Sequence, residues 1–257
     1  MTDGLTVLGS CGAWPEPHRA CSGFLVERDG FRVVLDLGYG TLPRLLDALG
    51  PQGVDALDGV VVTHHHPDHA VDLHGLFRAW TYPRRSWERL AVWAPPQVRD
   101  AVIALEDGDA AAVDAAFDFT PLPAGPTAAG PFVLESVALP HFVPSVGVRL
   151  SSPGLVVAYT GDTGPSPALA ELGRDADLFV VEATDREQRP TTPPARKPGL
   201  QLTSTEAGRA ARSAAARRLL LTHFWPGNDR ERSRANAQAE YGGEVLLADE
   251  GLRIDLP

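Results

Sequence analysis

The chain has 257 residues, 44% of them apolar, an ordinary share for a globular protein, and it is long enough for a single α/β domain over 1–257 with a sizeable core. Its 23 Lys and Arg stand against 33 Asp and Glu, a net charge of −10, which argues against a broad nucleic-acid footprint because such surfaces are basic. No apolar run reaches the ~18 residues of a membrane helix, so no membrane association is expected.

In chain order, strands are predicted near 4–9, 21–28, 31–37, 59–63 and 90–94. Further strands are predicted near 132–139, 146–151, 154–160, 178–182, 218–222, 245–248 and 252–256. Helices fall near 41–49, 70–80, 96–106, 109–116, 166–172, 204–215 and 230–240. The strand runs of Val, Leu and Ala alternate little, as expected of sheets covered on both faces. The helix at 204–215 opens on Ser204-Thr205-Glu206-Ala207 and is alanine-rich throughout. Periodicity alone gives an α/β class. Two Pro/Gly-rich stretches interrupt the pattern, 119–131 and 184–200, and the second is a candidate lid over a site. Met1-Thr2-Asp3-Gly4 lacks the basic-then-apolar pattern of a secretory signal, and the two cysteines, Cys11 and Cys21, suit a reducing compartment. A cytoplasmic location is therefore expected. Cys21 reads as buried and Cys11 as a small residue filling a Gly-rich turn.

Histidine is concentrated at Thr63-His64-His65-His66-Pro67-Asp68-His69, directly after the apolar run Gly59 to Val62. His64, His66, Asp68 and His69 form H-x-H-x-D-H, and imidazole and carboxylate are the donors that first-row divalent cations prefer. Three more candidates stand at the ends of predicted strands: His141 after 132–139, Asp162 within Gly161-Asp162-Thr163-Gly164, and His223 after 218–222. Each alone is weak, but with the cluster they make a strong set. His65 occupies the variable slot and reads as backing the site or facing solvent. His18 reads as an exposed loop residue, and His74 points elsewhere on its helix. Arg78, Arg84, Arg85 and Arg89, interleaved with Trp80, Tyr82 and Trp87, read as a solvated helix end, with a substrate lip as the alternative.

These motifs resemble those of the metallo-β-lactamase fold superfamily of metal-dependent hydrolases, in order and over nearly the whole chain. Gly38-Tyr39-Gly40-Thr41, Pro144 to Leu150 and Val181-Glu182-Ala183-Thr184 are most similar to the ribonuclease Z-like branch. The resemblance implies an αββα four-layer sandwich. It implies that His64, His66 and His141 hold one divalent ion, that Asp68, His69 and His223 hold a second, and that Asp162 bridges them. Zinc is the expected ion, with manganese or iron as alternatives. The two ions would share a hydroxide of near-neutral pKa as nucleophile, with Asp68 orienting it and accepting its proton, and Glu182 as a further catalytic residue. One departure matters. The branch commonly carries a His where Gln201 stands, and glutamine cannot protonate a leaving group at neutral pH. No Gly- and basic-rich arm lies between the third and fourth motifs, which points to a smaller substrate. The implied activity is a dinuclear zinc phosphodiesterase acting on a small anionic, nucleotide-like diester. The alternative is a hydrolase of the same fold acting on a lactone, thioester or amide. A non-hydrolytic iron protein is a third class, disfavoured by the complete ligand set and by the lack of room for a flavin domain. The resemblance leaves a homodimer open.

Overall fold

The computed structural model describes residues 3–82, 88–122, 125–188 and 199–257. The chain begins with three antiparallel strands, β1 (Gly4–Gly9), β2 (Gly23–Arg28) and β3 (Phe31–Leu35). Helix α1 (Thr41–Leu49) leads to β4 (Gly59–Val61). Helices α2 (Pro67–Ala70) and α3 (Asp72–Thr81) then lead to β5 (Leu90–Ala94), and α4 (Pro96–Leu105) and α5 (Ala110–Ala116) to β6 (Phe117–Pro121). Strands β3 to β6 pair in parallel.

The second half repeats this plan. Strands β7 (Thr127–Ala129), β8 (Phe132–Leu139), β9 (Ser145–Ser152) and β10 (Leu155–Tyr159) form an antiparallel run. Helix α6 (Ala168–Leu172), β11 (Leu178–Glu182), α7 (Ser204–Ser213), β12 (Arg218–Thr222), α8 (Arg230–Tyr241) and β13 (Glu244–Leu247) follow, with β10 to β13 in parallel. The last strand, β14 (Arg253–Asp255), returns to pair with β1. Among the described residues this gives two seven-stranded sheets, β14-β1-β2-β3-β4-β5-β6 and β13-β12-β11-β10-β9-β8-β7.

The layering follows from which side chains each strand buries. Leu5, Phe24, Val26 and Val33 of the first sheet meet Leu150, Val157, Tyr159 and Val180 of the second in one dry core between the sheets. The opposite face of the first sheet, with Leu25, Val34 and Val60, packs under Leu45, Leu73, Phe77 and Val98 from the helices. The outer face of the second, with Phe179, Val181 and Leu219, packs under Leu172, Ala207, Ala211 and Ala237. Every residue of β4 and β11 is buried, which explains their unalternating sequences. The small residues of α7 allow close approach: a Cβ at Gly208 would lie 2.4 Å from the carbonyl oxygen of Ala237 on α8. α7 starts at a capping box, in which Glu206 N–H donates to Thr203 Oγ1 and Thr203 N–H to Glu206 Oε2.

The architecture is thus helices, sheet, sheet, helices, as the resemblance implied. The expected elements are present with shifted ends. The expected strand at 21–28 begins at Gly23, the expected helix at 166–172 begins at Ala168, and the expected helix at 70–80 follows a separate turn, α2. Two strands, β6 and β7, were not anticipated. No helix among the described residues is long and apolar enough to cross a membrane. Most of the 184–200 stretch, and Arg84, Arg85 and Trp87 of the basic-aromatic cluster, lie outside the described residues.

Candidate metal centre

The seven residues singled out in the sequence come together at one end of the sandwich. His64, His66, Asp68 and His69 follow β4 in the first sheet. His141, Asp162 and His223 follow β8, β10 and β12 in the second. They form two quartets that share Asp162: His64, His66, His141 and Asp162, and Asp68, His69, Asp162 and His223. Within each quartet, one ligand-capable atom per residue lies within 4.8 Å of all the others.

The atoms converge on common points and make few bonds with one another. His64 Nε2 and His141 Nε2 lie 3.0 and 3.2 Å from His66 Nδ1. His69 Nε2 and His223 Nε2 each lie 3.1 Å from Asp162 Oδ1, and His223 Nε2 lies 3.3 Å from Asp68 Oδ2. Yet His69 Nε2 and Asp162 Oδ1 are buried without a hydrogen-bond partner, because their 3.1 Å approach is off the line a hydrogen bond requires. Buried polar atoms are nearly always satisfied, and a cation at the convergence point satisfies these.

The outward nitrogens fix the tautomers. His69 Nδ1 lies 2.7 Å from Asp36 Oδ2, and His141 Nδ1 lies 3.0 Å from the carbonyl oxygen of Leu200. His64 Nδ1 lies 3.1 Å from Thr63 Oγ1, which donates to Asp36 Oδ2 at 2.9 Å. His223 Nδ1 lies 2.9 Å from Thr184 Oγ1, which donates to Glu182 Oε2. In all four, an N–H directed outward leaves the Nε2 lone pair facing the centre. Two routes have the same chemistry, histidine to threonine hydroxyl to buried carboxylate, one from each half of the chain. Asp36 also accepts from the Thr63 N–H at 2.7 Å and the Tyr159 hydroxyl at 2.9 Å.

The electrostatics are those of a dense buried cluster. Burial pushes His66 down to about 4 and lowers His64 and His141 as well. Burial opposes ionisation of Asp68, but His69 and His223 outweigh it and hold its carboxyl at about 2. Burial likewise opposes the positive charge on His69 and His223, and the Asp162 carboxylate overrides it, raising both. Glu182 is pushed up to about 8 by burial, reinforced by the charge on Asp162.

Backbone strain collects here. Ala13, Asp36, Asp185 and His223 have φ of 63°, 60°, 44° and 57°, four of the nine non-glycine residues with positive φ among the described residues. Such conformations persist only where the surroundings enforce them: His223 belongs to a quartet, Ala13 and Asp36 bond Asp68 and His69, and Asp185 follows Thr184, which holds His223. Ala13 N–H donates to Asp68 Oδ2 at 2.7 Å, and Gly12 is required beside it, since a Cβ there would lie 2.6 Å from the His223 ring.

The other residues singled out in the sequence have the following positions. Glu182 has no exposed surface, and both of its oxygens accept hydrogen bonds, from Thr163 N–H and the Thr184 hydroxyl, so it lies beneath His223 and not at an open face. Gln201 is half-buried and follows Leu200, whose carbonyl holds His141. His65 is half-buried, its ring 5.8 Å from that of His66. His74 pairs with Glu106 at 2.8 Å, away from the quartets, and His18 is exposed. Arg78 also pairs with Glu106, and Arg89 with Asp118, which fits a solvated surface. Cys11 and Cys21 are free and buried. Asp36, Thr63 and Thr184 were missed as site residues. Asp36 carried a readable signal, an acid at the end of the apolar strand β3 and before Gly38, the pattern that marked Asp162.

Comparison with known proteins agrees with this geometry. An uncharacterized protein of Mycobacterium leprae is 33% identical over 264 positions, covering 100% of this chain and 89% of its own length. A protein named ribonuclease Z from Haloferax volcanii is 29% identical over 306 positions, covering 98% and 94%. The crystal structure of the metallo-beta-lactamase fold protein YhfI from Bacillus subtilis superposes with a TM-score of 0.83 at 25% identity, covering 99% of this chain and 100% of that one. The sequence profile of the Beta-lactamase superfamily domain matches residues 18–224. The chain therefore belongs to the beta-lactamase superfamily, in its metallo-hydrolase form, and its fold and donor set imply divalent metals.

Proposed function

We propose that the chain is a dinuclear zinc phosphodiesterase acting on a small anionic, nucleotide-like diester. The observation that carries this reading is the pair of four-residue donor sets sharing the Asp162 carboxylate. His64, His66 and His141 would hold one ion, Asp68, His69 and His223 the other, and Asp162 both. When bound, the two ions would supply Lewis acidity to the phosphoryl oxygens and lower the pKa of a water at the centre.

The side chains do the rest. The Asp68 carboxylate is oriented by the Ala13 N–H, and it aligns the attacking water and takes its proton. Glu182 acts as a positioning residue, holding His223 through Thr184. Gln201 supplies no proton to the leaving group, so either another group supplies it or the leaving group departs without one.

A small substrate is supported by the alignment with the Haloferax ribonuclease Z. Its 306 positions exceed the 257 residues here, so that relative carries insertions this chain lacks. Buried, reduced cysteines support a cytoplasmic setting. The test is turnover of bis(4-nitrophenyl) phosphate by zinc- or manganese-loaded protein, lost on chelation. The exchange at Gln201 favours a second reading, a lactone, thioester or amide hydrolase, where ring strain or a thiolate leaving group removes the need for an acid. No phosphodiester turnover, with turnover on a lactone or thioester panel, would establish that reading in place of the first.

A further inference from the structure

We propose that Trp14, Trp225 and Arg186 form a recognition shelf for a planar aromatic substituent of the substrate, beside the quartet of Asp68, His69, Asp162 and His223. The proposal rests on the phosphodiesterase reading and names the part of the diester that the enzyme reads.

Position comes first. Trp14 directly follows Ala13, whose N–H holds Asp68, and Trp225 lies two residues beyond His223. Both indoles are therefore tied by chain geometry to ligands of the same quartet, with consecutive Cα atoms about 3.8 Å apart. Trp14 is 46% exposed, a large apolar surface one residue along the chain from the N–H that holds Asp68. It is nonetheless ordered. Its ring stands edge-on to Trp225, with centroids 4.9 Å apart and planes at 82°, and its backbone N–H donates to the carbonyl oxygen of Gly12 at 2.8 Å.

The third member is equally placed. The Arg186 guanidinium lies 4.5 Å from the Trp225 ring centroid. Its position is set by Asp185, which is buried with φ 44°. The Asp185 carboxylate accepts from Ser204 N–H at 2.7 Å, Gln188 Nε2 at 3.1 Å and the Ser233 hydroxyl. Asn228 Nδ2 donates to the carbonyls of Thr184 and Asp185, both at 3.0 Å. The turn carrying Arg186 is thus continuous with Thr184, which holds His223.

An ordered, exposed indole offers a stacking face to any planar π system, and a guanidinium stacked on its neighbour adds positive charge near an anion. A phosphodiester centred on the quartets would place one ester substituent over Trp14. A nucleobase and an aryl ester share this chemistry.

The experiment compares bis(4-nitrophenyl) phosphate with methyl 4-nitrophenyl phosphate on the zinc-loaded protein. Both release 4-nitrophenolate, and only the first carries a second ring. Trp14→Ala is expected to cut the kcat/KM preference for the two-ring ester by about tenfold, while Trp14→Phe keeps most of it. Arg186→Ala is expected to raise KM for both esters with kcat nearly unchanged. Zinc stoichiometry of two in each variant certifies folding. An unchanged preference in Trp14→Ala overturns the shelf. If the wild type cleaves neither ester, the phosphodiesterase reading fails, and the shelf is read by calorimetry with adenosine 5′-monophosphate and ribose 5-phosphate. Tighter binding of the nucleotide, abolished by Trp14→Ala, supports the shelf and identifies a base as its occupant. Equal binding of the two overturns it.

Discussion

Asp36→Asn exchanges one carboxylate oxygen for an NH2 group at a position where every contact is a donor. In the wild type, Oδ2 faces three donors (His69 Nδ1, Thr63 Oγ1 and Tyr159 OH) and Oδ1 faces the Thr63 N–H. The less costly orientation of asparagine turns its NH2 towards Thr63 N–H, leaving one buried donor facing another at ~1–3 kcal/mol. The remaining three bonds lose their charge assistance, at roughly 1 kcal/mol each. Destabilisation of about 4–6 kcal/mol is expected. Metal affinity should fall separately, because the outward nitrogen of His69 and, through Thr63, that of His64 lose a charged acceptor. Outlying partners of this kind are worth about 10–100-fold in affinity, or ~1.4–2.7 kcal/mol. Chelator-stripped protein would be titrated with zinc against a chromophoric competitor, with thermal unfolding measured in parallel. Tyr159→Phe is the comparison, since it removes one donor and leaves the His69 contact intact, so it should lower Tm and spare affinity. Two zinc equivalents taken up by Asp36→Asn with wild-type affinity, alongside a lowered Tm, would reduce Asp36 to a structural brace and refute the reasoning.

Other outcomes follow from the same geometry. Asp162→Ala removes the carboxylate common to both quartets, so metal analysis should find neither ion retained and turnover below detection; retention of two ions would contradict the shared role. Gly12→Ala drives a methyl group to 2.6 Å from the His223 ring, at an overpacking cost of ~1–3 kcal/mol. Its zinc content should drop from two to one, because the quartet of His64, His66, His141 and Asp162 is untouched, and a content of two would show that the ring can yield. Gln201→His should speed hydrolysis of alkyl diesters by roughly tenfold or more while leaving 4-nitrophenyl esters unchanged; equal effects on both classes would show that leaving-group protonation is not what the exchange controls.

The candidate ligands could be read from the sequence because each is announced locally. The chain must stop an apolar strand, turn, and present a polar side chain, and that punctuation is visible at 63–69, 141, 162 and 223. Asp36 has the same signature but no histidine neighbour to draw attention to it. Thr63 and Thr184 were beyond reach, since a threonine hydroxyl linking a ring to a carboxylate is a three-body arrangement that no spacing encodes. The two unanticipated strands are both sheet edges. Phe117–Pro121 ends in a proline, which an edge tolerates, and Thr127–Ala129 is three residues long within a Pro/Gly-rich stretch. Edge strands bury little and leave a faint pattern. The layered order of the sheets depends on pairings distant in sequence, so it entered through the family resemblance and not through periodicity.

Each quartet draws two members from the segment after β4, through α2, and two from the ends of strands in the second sheet. Neither half of the molecule can therefore offer a cation more than a pair of donors until the sheets have closed on each other. Ion capture would then report docking of the halves, and a bound pair of ions would rivet together two layers that otherwise meet through apolar side chains and a few hydrogen bonds such as Tyr159 to Asp36.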